Sequence, residues 1–311
     1  MRTSCILTLT ELMRDHDDIA VLTPDMGFSV FEDIEREFPK RFFNTGVTEQ
    51  GTISLATGMA LSGYKVFVYA QAIFMTLRCF EQVRLDVAYH NANVKIIGTA
   101  AGFWLNQLGV SHFALEDVSA MRLLPGMTIF SPGDPYEAQW ATRKAYALEG
   151  PAYIRLAKPD RQFVHKKSLA SSVDGVIQLS KGEKGALLVG GNLLSLGVDV
   201  SKRLKDQGIQ IGVYSIPIVK PLPVKDLAKK LKGYTHLFTL EEHSIVGGLG
   251  TAISEYMTDE EIQGVFLHRF GVADSFIHVS GSREYLLEQS GLSPEILVYT
   301  IKRMMNKRST K

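Results

Sequence analysis

Short apolar runs alternate with amphipathic stretches along most of the chain. The runs at 19–23, 65–70, 94–98, 127–130 and 152–156 are largely uninterrupted by polar residues, the pattern of strands covered on both faces. A shorter run at 41–43 leads toward a small-residue helix at 53–61. Between strands, 74–89 spaces Phe80, Val83, Leu85 and Val87 among Arg78, Glu81, Arg84 and Asp86, which predicts a helix. Another helix begins at Asp134-Pro135-Tyr136-Glu137, with an N-cap aspartate, a proline at the first helical position and a capping-box glutamate. The stretch 158–184 is polar, with Lys166-Lys167-Ser168 and Ser171-Ser172, and reads as a linker. Alternation then resumes, with strands at 185–191, 211–215, 236–240 and 265–268 and helices around 193–207, 224–231 and 249–257. Strands alternating with helices predict parallel sheets. The expected fold is α/β, with two doubly wound domains at 1–165 and 185–311 joined by a linker at 166–184.

Composition narrows the function classes. A chain of 311 residues can build two cores, and 45% hydrophobic with 22% charged residues is ordinary for globular proteins. The net charge of +1 gives no electrostatic support to nucleic-acid binding. No apolar run approaches the roughly 20 residues that span a bilayer, and 1–11 lacks a signal-type apolar core. Neither nucleic acid nor membrane is expected as a partner. Two cysteines, Cys5 and Cys79, make no disulfide framework, so a reducing cytoplasm is the expected location. Eight histidines and two cysteines show no metal-ligand spacing.

Glu49 lies in Asn44-Thr45-Gly46-Val47-Thr48-Glu49-Gln50-Gly51, at a strand-to-helix junction. A carboxylate among glycines and apolar residues is costly to keep charged and is a candidate for proton chemistry. An acid favoured by a helix N-terminus and exposed to water explains the same segment. His112 follows a loop at 102–111 rich in Gly, Asn and Gln, where an imidazole can serve a substrate or simply face solvent. Arg78 can pair with Glu81 or Asp86, or face a substrate.

Four stretches together resemble the C-terminal half of transketolase, a pyrimidine-binding domain followed by a small C-terminal domain. They are the Phe43-to-Met59 segment, the run from Ala72 to Val83, the loop Ser111-His112-Phe113-Ala114-Leu115-Glu116-Asp117 with Arg122, and Glu241-Glu242-His243 with Gly247-Gly248-Leu249-Gly250. The resemblance runs from about Leu7 to about Ile301 and is nearest to the separately encoded small subunit of split transketolases. It implies thiamine diphosphate, which provides an electron sink for cleaving a C–C bond beside a carbonyl. It implies that Glu49 bonds the pyrimidine N1′ and shares its proton. An apolar setting made by Phe42, Phe43, Val47, Ile53 and Leu55 is expected to favour the protonated state. It further implies that Phe74 is the aromatic platform for the pyrimidine, with Arg78 beside it, and that His112 acts on substrate. His243 is expected to bond structurally or at an interface. No role is assigned to His16, His90, His165 or His236.

Departures from the family pattern bear on substrate and assembly. Relatives carry an acidic residue shortly before the loop histidine, where Leu108 stands here. Where phosphate-sugar transketolases supply an arginine, the strand end reads Leu156-Ala157-Lys158. A lysine binds phosphate as a point charge without the bidentate fork. Phe103 and Trp104 are expected to add apolar bulk to the same loop. The Gly-Asp-Gly segment that holds Mg²⁺ and diphosphate in this family is missing. The resemblance therefore implies a partner, an N-terminal-type subunit carrying those ligands, in a dimer of heterodimers. The expected reaction is transfer of a two-carbon ketol unit from a ketose to an aldehyde. Alternatives are the β subunit of a 2-oxo acid dehydrogenase, a 1-deoxyxylulose-5-phosphate synthase-like enzyme, and a non-catalytic paralogue that only binds the partner.

Overall fold

The protein is described by a computed structural model covering residues 1–157, 163–173 and 175–306. Two sheets organise it. The first collects β1 (Ile19–Thr23), β2 (Phe42–Asn44), β3 (Lys65–Gln71), β4 (Val94–Ala101), β5 (Thr128–Phe130) and β6 (Ala152–Ala157). The second collects β7 (Ile177–Ser180), β8 (Gly185–Gly190), β9 (Ile211–Ser215), β11 (His236–Ser244) and β12 (Phe266–Val272). The remaining strand, β10 (Ile218–Lys220), crosses back and pairs antiparallel with β5 at the edge of the first sheet. The strand orders are β10-β5-β6-β4-β3-β1-β2 and β12-β11-β8-β9-β7. Apart from β10 and the antiparallel β7–β9 pair, neighbouring strands run parallel.

Burial explains why these runs become strands. Every residue of β1, β4, β6 and β8 is buried, as parallel strands sandwiched between helices must be. In β8, Leu187 and Val189 join one apolar cluster, while Ala186 and Leu188 join another on the opposite face. The period-2 alternation thus feeds two cores, one under the helices Leu194–Asp206 and Pro294–Asn306, the other under Val224–Lys230 and Leu249–Asp259.

Several elements differ from the sequence expectation. The stretch expected as a linker, 166–184, contains β7, whose burial alternates residue by residue. Its alternating Ile177 and Leu179 give one inward face, which a polar average conceals. Leu169 and Val173 pack on the first core. The helix expected over 74–89 is broken into wide turns at Phe74–Arg78 and Val83–Ala88 around a short α segment. The bonds from Cys79 N to Phe74 O (3.2 Å) and from Tyr89 N to Arg84 O (3.0 Å) span five residues, the π-type spacing. The helices Arg2–Asp15, Arg283–Gln289 and Pro294–Asn306 were not marked by the apolar pattern. No helix among the described residues is long and apolar enough to cross a membrane.

Candidate active site

Parallel sheets place their functional loops at the carboxyl ends of the strands. Three such ends supply this site. After β2, the chain turns through Thr45–Thr48 into the helix Glu49–Leu61, so Glu49 is its first residue. The turn is pinned by hydroxyls: Thr45 Oγ1 lies 2.6 Å from Thr52 Oγ1, and Thr48 Oγ1 donates to Thr45 O at 2.9 Å. Asn44 Oδ1 accepts from Gly46 N and Asp25 N, both at 3.0 Å. After β3 comes the wide turn Phe74–Arg78, which sets Phe74 and Arg78 on one face. After β4 the loop from Gly102 reaches His112.

These residues meet. Arg78 Nη1 lies 2.9 Å from Glu49 Oε1, with the Glu49 side chain 11% and the Arg78 side chain 47% exposed. The Arg78 guanidinium carbon stands 4.2 Å from the centre of the Phe74 ring. The Phe74 and His112 rings approach edge-on, with centroids 5.3 Å apart. Ser111 Oγ lies 2.9 Å from His112 Nδ1 and can orient the ring. Gln50 Nε2 donates to Arg78 O at 3.3 Å. Glu49, Phe74, Arg78 and His112, assigned from three separate stretches, therefore form one cluster. Arg78 pairs with Glu49 rather than with Glu81 or Asp86; Asp86 instead accepts from Ser54 Oγ at 2.7 Å.

The setting expected for Glu49 needs correction. Val47, Leu55 and Phe43 are exposed, and only Ile53 is fully buried. The carboxylate faces a guanidinium rather than an apolar wall. The exposed Leu55, Leu61, Leu77, Leu85 and Tyr89 lie on the helix after Glu49 and on the 74–89 segment packed against it. The helix Glu49–Leu61 carries a single charged residue and leaves Leu55 and Leu61 in solvent.

The loop before His112 is also different from expectation. Phe103 is fully buried and packs edge-on against Phe113 at 5.1 Å, within the core of the second domain. It adds no bulk to a substrate pocket. Leu108 is exposed and Trp104 partly so. Lys158 lies outside the described residues.

Sequence reasoning missed a buried polar network behind this loop. Arg155 Nε and Tyr153 OH both donate to Asp117 Oδ2 at 2.7 Å. Arg155 Nη2 donates to Ala114 O at 3.0 Å and to Glu242 O at 2.9 Å. Glu242, fully buried, accepts from Phe103 N at 2.7 Å and pairs with Arg283. Gly102, at φ +66°, leaves room for that approach, since a β-carbon there would stand 2.5 Å from Glu242 Oε1. The Glu241-Glu242-His243 run lies inside β11. His243 Nδ1 donates to Ser244 O at 2.7 Å. Burial lowers its pKa to about 4, so the ring is neutral and serves structure, as expected. A charged residue inside an otherwise apolar strand, as in Ala152–Ala157, is the one signal that could have flagged the network.

The pyrimidine half of thiamine diphosphate fits the cluster. A largely buried carboxylate and an aromatic face converge on a single planar group, the Arg78 guanidinium. Among the described residues no group of three or more His, Cys, Asp or Glu could hold a metal ion.

The transketolase pyrimidine-binding domain matches residues 1–162 and the transketolase C-terminal domain matches residues 175–297. The chain belongs to the transketolase family. A putative transketolase C-terminal section from Methanocaldococcus jannaschii is 33% identical over 304 residues, covering 96% of this chain and 94% of that protein. One of the subunits of an apulose-4-phosphate transketolase from Actinobacillus succinogenes is 30% identical over 263 residues, covering 85% of this chain and 84% of that protein. A solved split gene transketolase, an inactive β4 tetramer, superimposes with a TM-score of 0.85 at 31% identity and covers 97% of this chain and 96% of its own.

Proposed function

We propose that this chain is the pyrimidine-domain subunit of a two-chain, thiamine-diphosphate-dependent transketolase that moves a two-carbon ketol unit from a ketose to an aldehyde. The observation that carries the reading is the convergence of Glu49, Phe74 and His112 at neighbouring strand ends. When bound, the cofactor supplies the electron sink for the C–C cleavage. Glu49 shares a proton with N1′, and Phe74 offers the ring a stacking face. His112 bonds a substrate hydroxyl or carbonyl oxygen. Lys158 is proposed to meet a substrate phosphate as a point charge. Mg²⁺ and diphosphate ligands come from an N-terminal-type partner, in a dimer of heterodimers. The exposed apolar rim around Glu49 is the surface that partner covers, and the unpaired, buried Cys5 and Cys79 suit a reducing cytoplasm. Domains of 1–165 and 185–311 remain the proposed division, with β7 contributed by the intervening stretch.

The names of the relatives favour separate subunits and, in one case, a sugar phosphate other than a common pentose phosphate. Calorimetry with Mg²⁺ and thiamine diphosphate tests the shared site: tight binding is expected only after the partner is added. Turnover is then measured on a panel of phosphorylated and unphosphorylated ketoses and aldehydes. Tight cofactor binding or turnover by this chain alone would overturn the two-chain reading.

A further inference from the structure

Arg78 holds the two groups that the proposed function needs free. Its Nη1 lies 2.9 Å from Glu49 Oε1, and its guanidinium carbon stands 4.2 Å from the Phe74 ring centre. A guanidinium is planar and delocalised, donates in its plane and stacks through its face. An aminopyrimidine bound at the same place would use the same carboxylate and the same ring face. The two planar groups exclude each other.

We propose that Arg78 is a displaceable plug: in the free subunit its guanidinium fills the pyrimidine half-site, and it swings out when the cofactor is captured together with the partner. The inference rests on the roles given to Glu49 and Phe74 above. Local structure lets the side chain move while the backbone stays. Arg78 O accepts from Gln50 Nε2 at 3.3 Å, and the adjoining Thr76 and Cys79 are buried. The Arg78 side chain is 47% exposed, against 11% for Glu49. The guanidinium therefore has a wider path to solvent than the carboxylate. Glu81, exposed three residues further on, offers the displaced cation another anion.

The plug has a use in each state. In the free subunit it pairs with and covers the Glu49 carboxylate. It also opposes the capture of a cofactor that this chain cannot anchor by its diphosphate. If the plugged state holds about nine molecules in ten, the apparent dissociation constant rises roughly tenfold. Binding contributed by the partner to the diphosphate then offsets that cost, which couples cofactor capture to assembly.

Arg78→Met tests the plug, because it keeps much of the apolar stem and removes the planar cation. The probe is thiamine, which carries the aminopyrimidine without diphosphate, titrated into the full chain by calorimetry. Arg78→Met is expected to bind thiamine about tenfold more tightly than wild type. Glu49→Gln added to Arg78→Met is expected to lose that gain. In the assembled complex, thiamine diphosphate with Mg²⁺ is expected to associate faster with Arg78→Met, as followed by stopped-flow fluorescence. Equal or weaker thiamine binding by an Arg78→Met chain with an unchanged unfolding midpoint would overturn the plug, as would a cofactor-loaded complex in which Arg78 still contacts Glu49. A wild-type complex that takes no thiamine diphosphate would instead overturn the functional reading, and the plug with it.

Discussion

Asp117–Arg155 and Glu49–Arg78 are both carboxylate–guanidinium contacts, yet their surroundings differ. Asp117 and Arg155 are 0% and 3% exposed, and Arg155 also donates to two backbone carbonyls. Tyr153 occupies the same carboxylate oxygen, and Glu242 with Arg283 extends the bonding into the second domain. The hydrogen bonds of that network all fall within this chain, and Asp117 Oδ1 takes none of them. The Glu49 pair has one guanidinium half in solvent, stacked on a ring, beside exposed leucines. A sealed ion pair fixes geometry, since its desolvated charges tolerate no change of partner. A half-open pair can exchange partners, which a binding site requires. The difference separates the scaffold, whose contacts lie within this chain, from the proposed cofactor site.

The largest expected effect falls on the sealed pair. Arg155→Met strands Asp117 in the interior without its cation and should cost about 3–5 kcal/mol of stability. Urea unfolding measures this, and a loss below about 1 kcal/mol would show that the network is not the clamp described. Glu49→Gln is expected to do the reverse, leaving the unfolding midpoint near wild type while the assembled enzyme loses roughly 10²–10⁴-fold in turnover. An amide cannot share a proton with N1′, so proton–deuterium exchange at the cofactor's C2 should slow as well. Wild-type exchange in this variant would remove Glu49 from the chemistry and blur the contrast between the two pairs.

Much of this contrast was visible in the sequence on one side only. Largely apolar runs marked β1, β4, β6 and β8, because strands buried on both faces leave few polar positions, Lys95 and Arg155 being the charged ones. Glu49, Phe74 and His112 each follow such a run, and the parallel topology brings their loops together. Arg78 was assigned to the site, but its partner was not legible, since local spacing offers Glu81 and Asp86 and says nothing of a carboxylate on the preceding helix. Glu241-Glu242-His243 fell outside the strand expected at 236–240 because three polar residues rarely lie inside a buried strand. Their partners, Gly250 N, Arg283 and Ser244 O, belong to the folded chain. Phe103 read as part of a pocket because loop residues next to glycine are usually near the surface. It is buried because the second domain reaches over to cover it.

The smallest expected effect sharpens the comparison at a third acid, Glu137. His165 Nε2 lies 2.7 Å from Glu137 Oε1, with side chains 8% and 0% exposed. Asp134 caps the helix Pro135–Ala147 by accepting from Glu137 N at 2.9 Å, and its other oxygen accepts from His165 N at 2.9 Å. Burial alone would lower the His165 pKa, but the hydrogen bond and charge of Glu137, helped by Asp134, leave it above the ordinary 6.5. The folded state thus binds the proton more tightly than the unfolded chain does. The stabilisation is fully present below about pH 6.5 and is lost as pH rises through the raised folded value. His165→Gln should therefore cost about 1.5 kcal/mol at pH 6 and less at pH 8.5, read from urea midpoints at the two pH values. A pH-dependent cost would place this contact with the sealed pairs, as a charged clamp closing the segment after β6 onto the first domain. An equal cost at both values would show that a neutral imidazole suffices there, and that the desolvated ion pair is confined to the Asp117 network.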